Sequence, residues 1–345
     1  MNAGDHDHAG LRRAAELGDA VAQFNLGTLY FIGQDVQQDY TEALKWFRRA
    51  AELGNANGQA ALGAAYAGGH GLPQNYTEAV GWYRRAADQD HTDAQLALVV
   101  MYHEGLGVSQ DAVEAIRWAR RAAGLGNAEA QVVLGGAYAN GRGVPQDDAE
   151  AVKWYRLAAD QGHAKAQYSL GAAYSVGRGV PQDDLEALKW FRLAADQGHV
   201  DAQAALAHAY AAGRGVVRDD TAAIRWFHLA ADRGHPIAQN NLGAMYAKGR
   251  GVERNDTEAF KWFRLAADQG IAEAQYTLGL RYLDGQDVPQ DYVAAHMWLN
   301  LAGAQNHEHA RRARDQIRHD MNADQIAEAQ QRAREWSQAR QPQPR

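Results

Sequence analysis

HAKAQYSLGAAYSVGRGVPQDDLEALKWFRLAADQG, residues 163–198, contains two helical stripes separated by a glycine-marked loop. Gln167, Leu170, Gly171 and Tyr174 fall at i, i+3, i+4 and i+7, one face of a helix. Ala187, Trp190, Phe191, Ala194 and Ala195 fall at i, i+3, i+4, i+7 and i+8, one face of a second helix. Small residues such as Gly171 and Ala194 let backbones approach, and Tyr174 and Trp190 fill the gaps left between them. Asp183 with Glu186 has capping-box spacing at the start of the second helix. Gly162, Gly177 and Gly198 stand where a left-handed residue stops a helix. Pro181 pushes Val180 toward an extended conformation, so helix does not run through the loop.

The same letters recur in phase along the chain. Trp46, Trp82, Trp118, Trp154, Trp190, Trp226, Trp262 and Trp298 are 36 residues apart, and only Trp336 lies outside the series. Tyr30 to Tyr282, Gln23 to Gln275 and Leu26 to Leu278 keep the same period without insertion or deletion. The repeats are 19–54, 55–90, 91–126, 127–162, 163–198, 199–234, 235–270 and 271–306. Residues 11–18 match the end of a repeat, so 1–18 read as a tail and a half-repeat helix. The Asp/Asn-x-x-Glu spacing recurs at Asp39, Asn75, Asp111, Asp147 and Asn255, while Ala222 and Ala294 break it. A single helix pair has too little apolar surface to be stable alone, so stacked pairs must share a core and the ends need caps. Residues 307–340 read as capping helices, with Asn322 and Gln325 starting one and Ile326 and Trp336 anchoring it; 341–345 read as a disordered tail. The expected fold is all-α, a solenoid of antiparallel helix pairs.

The 345 residues carry 35 Gly and 7 Pro, and Ala is abundant, which favours helix. The net charge of −7 and pI near 6.0 argue against a nucleic-acid protein, where a basic patch is expected. The absence of Cys excludes disulfides, thiolate metal sites and a Cys nucleophile. Met1 to Gly10 has neither a basic nor an apolar signal region, and no stretch approaches eighteen apolar residues. The chain as written is therefore expected to be cytoplasmic, or periplasmic or secreted if a leader preceded it.

The unit resembles the Sel1-like repeat, a longer-period relative of the tetratricopeptide repeat. The residues that carry the resemblance in repeat five are Ala166-Gln167, Leu170-Gly171, Tyr174, Gly177, Gly179-Val180, Asp183, Ala187, Trp190, Arg192 and Ala194-Ala195. It covers residues 19–306. The resemblance implies a right-handed superhelix and binding of a protein or peptide partner on its concave surface, in a bacterial regulatory or envelope-associated complex. The chain departs from the pattern at Val99 and Ala207, which replace the helix Gly, and at Asp35 and Asp287, which replace the second loop Gly. Asp tolerates the left-handed region better than most residues, so the turn is expected to survive.

No constellation points to chemistry. His91, His163, His199 and His235 share one repeat phase and read as surface inter-repeat turns. His6/His8 and His307/His309 are close pairs without further ligands at convincing spacing, so no metal site or cofactor is expected. Loops such as Gly141-Arg142-Gly143-Val144 follow a helix and lack phosphate-binding spacing. Ser109, Ser169, Ser175 and Ser337 stand in neither GxSxG nor SxxK, so no catalytic residue is assigned and no small-molecule substrate is expected. The Trp series reads as core. Arg48, Arg84, Arg120, Arg156, Arg192 and Arg264, two residues after each Trp, read as solvated or packed along their stems.

A partner surface is expected opposite the core stripe of the first helices, at the phases of residues 21, 25, 28 and 32, which vary from repeat to repeat. The candidates are Asn25, Thr28, Asp93, Glu104, Glu129, Asn140, Asp201, His208, Asn241, Lys248, Glu273 and Asp284. Asp93, Glu129, Asp201 and Glu273 against one Lys165 make the row weakly acidic, suited to a neutral or basic peptide. The expected function is an adaptor that binds protein, without nucleic acid or membrane insertion. A hydrolase of cell-wall or β-lactam substrates and a structural spacer are the alternatives.

Overall fold

A computed structural model describes residues 3–340, with side chains from residue 9 onward. The expected disorder at 341–345 and the His6/His8 side chains lie outside the described residues. Among the described residues the chain forms nineteen α-helices and one short 3-10 turn, and no strand. Helix α1 (Ala3–Glu16) opens the chain. The first helices of the repeats are α2 (Ala20–Ile32), α4 (Ala56–Gly68), α6 (Thr92–Glu104), α8 (Ala128–Asn140), α10 (Ala164–Val176), α12 (Val200–Ala212), α14 (Pro236–Lys248) and α16 (Ala272–Asp284). The second helices are α3 (Tyr40–Glu52), α5 (Tyr76–Ala87), α7 (Ala112–Gly124), α9 (Asp148–Asp160), α11 (Asp184–Asp196), α13 (Asp220–Asp232), α15 (Asp256–Asp268) and α17 (Tyr292–Ala304). Helices α18 (Glu308–Ile317) and α19 (Ala323–Gln338) follow.

The chain divides into two compact units, Met1–Ala173 with Gly177–Pro181, and Tyr174–Val176 with Gln182–Arg345. In the first, α2 packs on α3, α4 on α5, α6 on α7 and α8 on α9; in the second, α12 packs on α13, α14 on α15 and α16 on α17. The even 36-residue register holds no trace of this division.

The second helices start as expected in one half and not in the other. Asp39, Asp111, Asp147 and Asp183 each accept a hydrogen bond from the backbone N–H of the Glu three residues on. Asp219 and Asp291 do the same for Ala222 and Ala294, so the cap survives without the Glu. The reciprocal bond of a capping box is missing from the second helices, because the cap residue's own N–H is already taken. Asp111 N donates to Tyr102 O at 2.9 Å, and Asp219 N to Tyr210 O at 3.0 Å, each back to the preceding helix. The Glu is released to pair with Lys on the next turn, as Glu150 does with Lys153 at 2.8 Å.

The histidines read as surface turns are helix caps. Nδ1 of His91, His163, His199 and His235 accepts from the backbone N–H three residues on, starting α6, α10, α12 and α14. Asn55 and Asn127 occupy the same place in α4 and α8, so Asn and His are interchangeable acceptors there.

Each buried Gln fixes a junction. Gln59 Nε2 donates to Ala51 O, Gln131 to Ala123 O and Gln239 to Ala231 O, always eight residues back on the preceding second helix. Each bond contributes about 1 kcal/mol, and it adds to the turn bond the same carbonyl accepts, as Ala123 O does from Gly126 N at 3.0 Å. In the terminal cap Arg311 Nε plays this part, donating to Gly303 O at 2.8 Å.

Helix contacts are set by glycine. A Cβ on Gly135 would lie 2.7 Å from the Tyr155 ring, and one on Gly27 2.7 Å from the Phe47 ring. Repeat three reverses the pair: buried Val99 replaces the Gly, and buried Ala119 replaces the ring. The second loop Gly has a positive φ and lies against the backbone of the preceding repeat, so a Cβ on Gly251 would collide with Asp220 O. Asp35 (φ 60°) and Asp287 (φ 62°) keep the left-handed turn, as expected. Asn322 and Gln325 form a full capping box for α19. Ile326 packs in the cluster around Leu299, and Trp336 against Trp298 at 6.1 Å between ring centroids.

Candidate protein-binding face

The twelve candidate residues all lie on first helices. Asn25 and Thr28 are on α2, Asp93 and Glu104 on α6, Glu129 and Asn140 on α8, Asp201 and His208 on α12, Asn241 and Lys248 on α14, Glu273 and Asp284 on α16. Thr28 and Asn241 are half-buried and the other ten are exposed. Their helices bury Gln, Leu and Gly or Ala on the opposite side, so the exposure follows from the stripe that holds the core.

Several candidates are already engaged. Glu129 reaches His163 Nε2 at 2.9 Å, Asp201 reaches His235 at 3.4 Å, and Glu273 reaches His307 at 2.9 Å. In each pair the His caps the helix that opens the next segment, α10, α14 or α18, with one nitrogen and meets the preceding repeat's acid with the other. The acidic row is therefore tied into the junctions at three of its four positions. Asn140 Nδ2 donates to Gly136 O, and Thr28 Oγ to Phe24 O. Both nitrogens of His307 are occupied in this way, and its ring stands 4.6 Å from that of Tyr276.

In the Arg series after each Trp, Arg48, Arg84, Arg120 and Arg192 are exposed, in line with the solvated reading, and each also makes a hydrogen bond. Arg48 Nη2 donates to Tyr66 Oη at 3.3 Å and Arg120 to Tyr138 Oη at 2.9 Å; Arg84 and Arg192 make the same bond to Tyr102 and Tyr210. Each bond ties a second helix to the following first helix. His228 replaces Arg in repeat six and bonds Tyr246 at 2.9 Å.

Three candidates converge. His208, Asn241 and Lys248 line one depression of about 200 Å³ in the second unit, with Ala211, Ala212, Phe227, Ala244, Met245 and Arg250. Asn241 Nδ2 donates to His208 Nε2 at 3.1 Å. The His208 ring meets Phe227 edge-on at 5.1 Å. One edge of the ring stays exposed; burial of the rest, with His235 nearby, lowers its pKa and favours the neutral ring that accepts from Asn241. Arg250 is held by Asp220, with Nη2 to Oδ1 at 2.6 Å and Nε to Oδ2 at 3.2 Å. Arg218 grips the same carboxylate at 2.7 Å, and the two guanidiniums hold Asp220 far below the usual carboxylate range. Lys248 has no ion pair or side-chain hydrogen bond among the described residues.

Sequence reasoning missed Phe227, Met245 and Arg250. The signal for Arg250 was present: Arg142, Arg178, Arg214 and Arg250 are 36 apart, and Arg178 and Arg214 clamp Asp148 and Asp184 as Arg250 clamps Asp220. The remaining candidates stay spaced along their own helices.

These features define an α-helical repeat protein built of consecutive helix pairs. The Sel1 repeat profile matches residues 20–55, 56–91, 92–127, 128–163, 164–199, 200–235, 236–271 and 272–307, one residue on from the register read off the sequence. The chain belongs to the Sel1 repeat family. It is similar to a Sel1 repeat protein from Oxalobacter formigenes, with 36% identity over 90% of this chain and 89% of that one, at a TM-score of 0.69. A protective antigen of uropathogenic Escherichia coli strains, described as displaying an SLR fold, is 30% identical over 96% of this chain and 94% of its own, at a TM-score of 0.38. No curated protein matches the chain. Proteins of this repeat class are generally non-catalytic scaffolds for protein interaction. No helix among the described residues is long and apolar enough to cross a membrane.

Proposed function

We propose that this protein is an adaptor that binds a protein or peptide segment along the exposed face of its first helices, within a bacterial regulatory or envelope-associated complex. One observation carries the reading. The phases of residues 21, 25, 28 and 32 are exposed or half-exposed in every repeat and differ from repeat to repeat, while the opposite stripe is buried and nearly constant. A framework locked by Gln, Tyr and Gly leaves this row free to be chosen by a partner. The similarity to a bacterial Sel1 repeat protein supports the bacterial setting. Affinity capture from the source organism tests it, with the purified chain as bait beside variants changed at Asn241 and Lys248 or at Asp201 and Glu273. A stoichiometric protein lost on changing either pair supports the adaptor. The absence of saturable binding under all salt conditions favours the spacer. A covalent adduct with a penicillin-type acylating probe would favour the hydrolase.

A further inference from the structure

The depression formed by α12, α13 and α14 differs in charge from the row around it. Phe227 and Met245 lie beneath it, both buried, and Ala211, Ala212 and Ala244 give it an apolar lining. No carboxylate lines it, and two cations do. They are not equivalent. Arg250 is neutralised and fixed by Asp220 and also donates to Ala211 O at 3.4 Å, so it shapes the wall. Lys248 stands at the rim without a partner among the described residues, the only Lys in its repeat phase. Asn241 is spent on His208 and Ile237 O, which stiffens the other rim. At about 200 Å³ the volume is below the roughly 300–1,000 Å³ of sites that hold drug-sized molecules. It suits one side chain of a larger partner.

Building on the adaptor reading, we infer that this depression takes an acidic side chain of a partner segment, its methylenes over Ala211, Ala212 and Ala244 and its carboxylate on Lys248. The geometry sets a polarity opposite to that expected from the acidic row alone. That row is answered by histidines at Glu129, Asp201 and Glu273, so its charge is engaged within the fold. The free charge at the depression is positive. An acid there meets a charge complement and an apolar surface together, which is the combination that fixes register along a repeat face.

The test is selection of peptides from a random twelve-residue display library on the full chain, run in parallel on Lys248→Met and Lys248→Glu. All three are expected to fold alike by circular dichroism, because Lys248 is exposed. The wild-type chain is expected to enrich Asp or Glu at one position of the selected motif. Lys248→Met is expected to lose that enrichment and Lys248→Glu to replace it with Lys or Arg. A synthetic peptide from the wild-type pool, with its acid changed to the amide, is expected to bind about tenfold more weakly. Peptides enriched without acidic preference, or with the same preference on all three proteins, overturn the inference and leave the adaptor standing. Failure of any peptide to enrich above background on the wild-type chain overturns both.

Discussion

Gln161 Nε2 donates to Gln131 Oε1 at 2.8 Å, so the side chain that fixes one junction is itself satisfied from the end of the next second helix. The same bond joins Gln89 to Gln59, Gln269 to Gln239 and Gln305 to Gln275. Gln23, Gln95 and Gln203 lack it, and their buried Oε1 atoms have no donor. Thirty residues on from these stand the exposed Leu53 and Leu125, and Arg233, where the other five repeats have Gln. Leu125→Gln is therefore expected to stabilise the chain by about 1 kcal/mol. The urea midpoint at unchanged slope measures it, and a midpoint that stays or falls rejects this account of the orphaned oxygen.

Repeat three offers a packing exchange. Ala119→Phe alone drives a ring into Val99 and is expected to cost about 1–3 kcal/mol. Val99→Gly alone opens a cavity and weakens α6, with a loss of similar size. Together they rebuild the Gly-to-ring contact of the other repeats, so the double variant is expected to be more stable than the sum of the two. A thermodynamic cycle gives the coupling, and additive losses would mean that the two positions do not face each other.

Gly251 and Gly234 both have positive φ, 68° and 85°, but different surroundings. Gly234 has open space where a Cβ would go, so Gly234→Ala costs only the backbone strain, about 1 kcal/mol. Gly251→Ala adds the collision with Asp220 O and is expected to cost about 3 kcal/mol or more. Equal losses in thermal unfolding would show that the loop can move away from the preceding repeat.

His296 is buried in α17, and its pKa is lowered by burial and by the charges of Arg314 and Arg318. The folded chain holds the ring neutral, while the unfolded chain takes a proton near the ordinary His value of about 6.5. The unfolded state thus binds more protons as pH falls below that value, and stability drops there. His208, lowered in the same direction, adds to the slope. Urea midpoints taken from about pH 7.5 down to about pH 5 should decline, and His296→Leu should make the decline shallower. An unchanged slope in the variant would place the proton uptake elsewhere.

The elements were legible and their connections were not. Tyr174, Trp190 and Gln167 announced themselves by a period of 36, and the stripe they occupy set the buried side of each helix. The exposed phases followed by subtraction, which is why His208, Asn241 and Lys248 were named. What could not be read was who bonds to whom. Arg120 meets Tyr138 eighteen residues on, Gln161 meets Gln131 thirty residues back, and His163 meets Glu129 thirty-four residues back. None of these separations belongs to a helix or a turn; they exist only once helices stack. The capping box was misjudged for the same reason, since Tyr102 O, from another helix, takes the N–H that Glu114 was expected to take. Phe227 escaped notice because it belongs to the buried core stripe of α13, where it meets the His208 ring of α12.

The bonds that join repeat to repeat share one property: each of these types reaches an adjacent repeat and goes no further. Gln to carbonyl spans eight residues, Arg to Tyr eighteen, Arg to Asp thirty and His to acid thirty-four. Cutting out or copying a block of 36 residues between equivalent positions therefore keeps the same spacing at the new seam, and restores each bond whose two residues the flanking repeats carry. Unequal recombination can lengthen or shorten such a gene in one step and still leave a foldable product. The exposed residues carried by each block are reshuffled at the same stroke, so inheritance can vary what the surface recognises while the joints that hold it stay as they were.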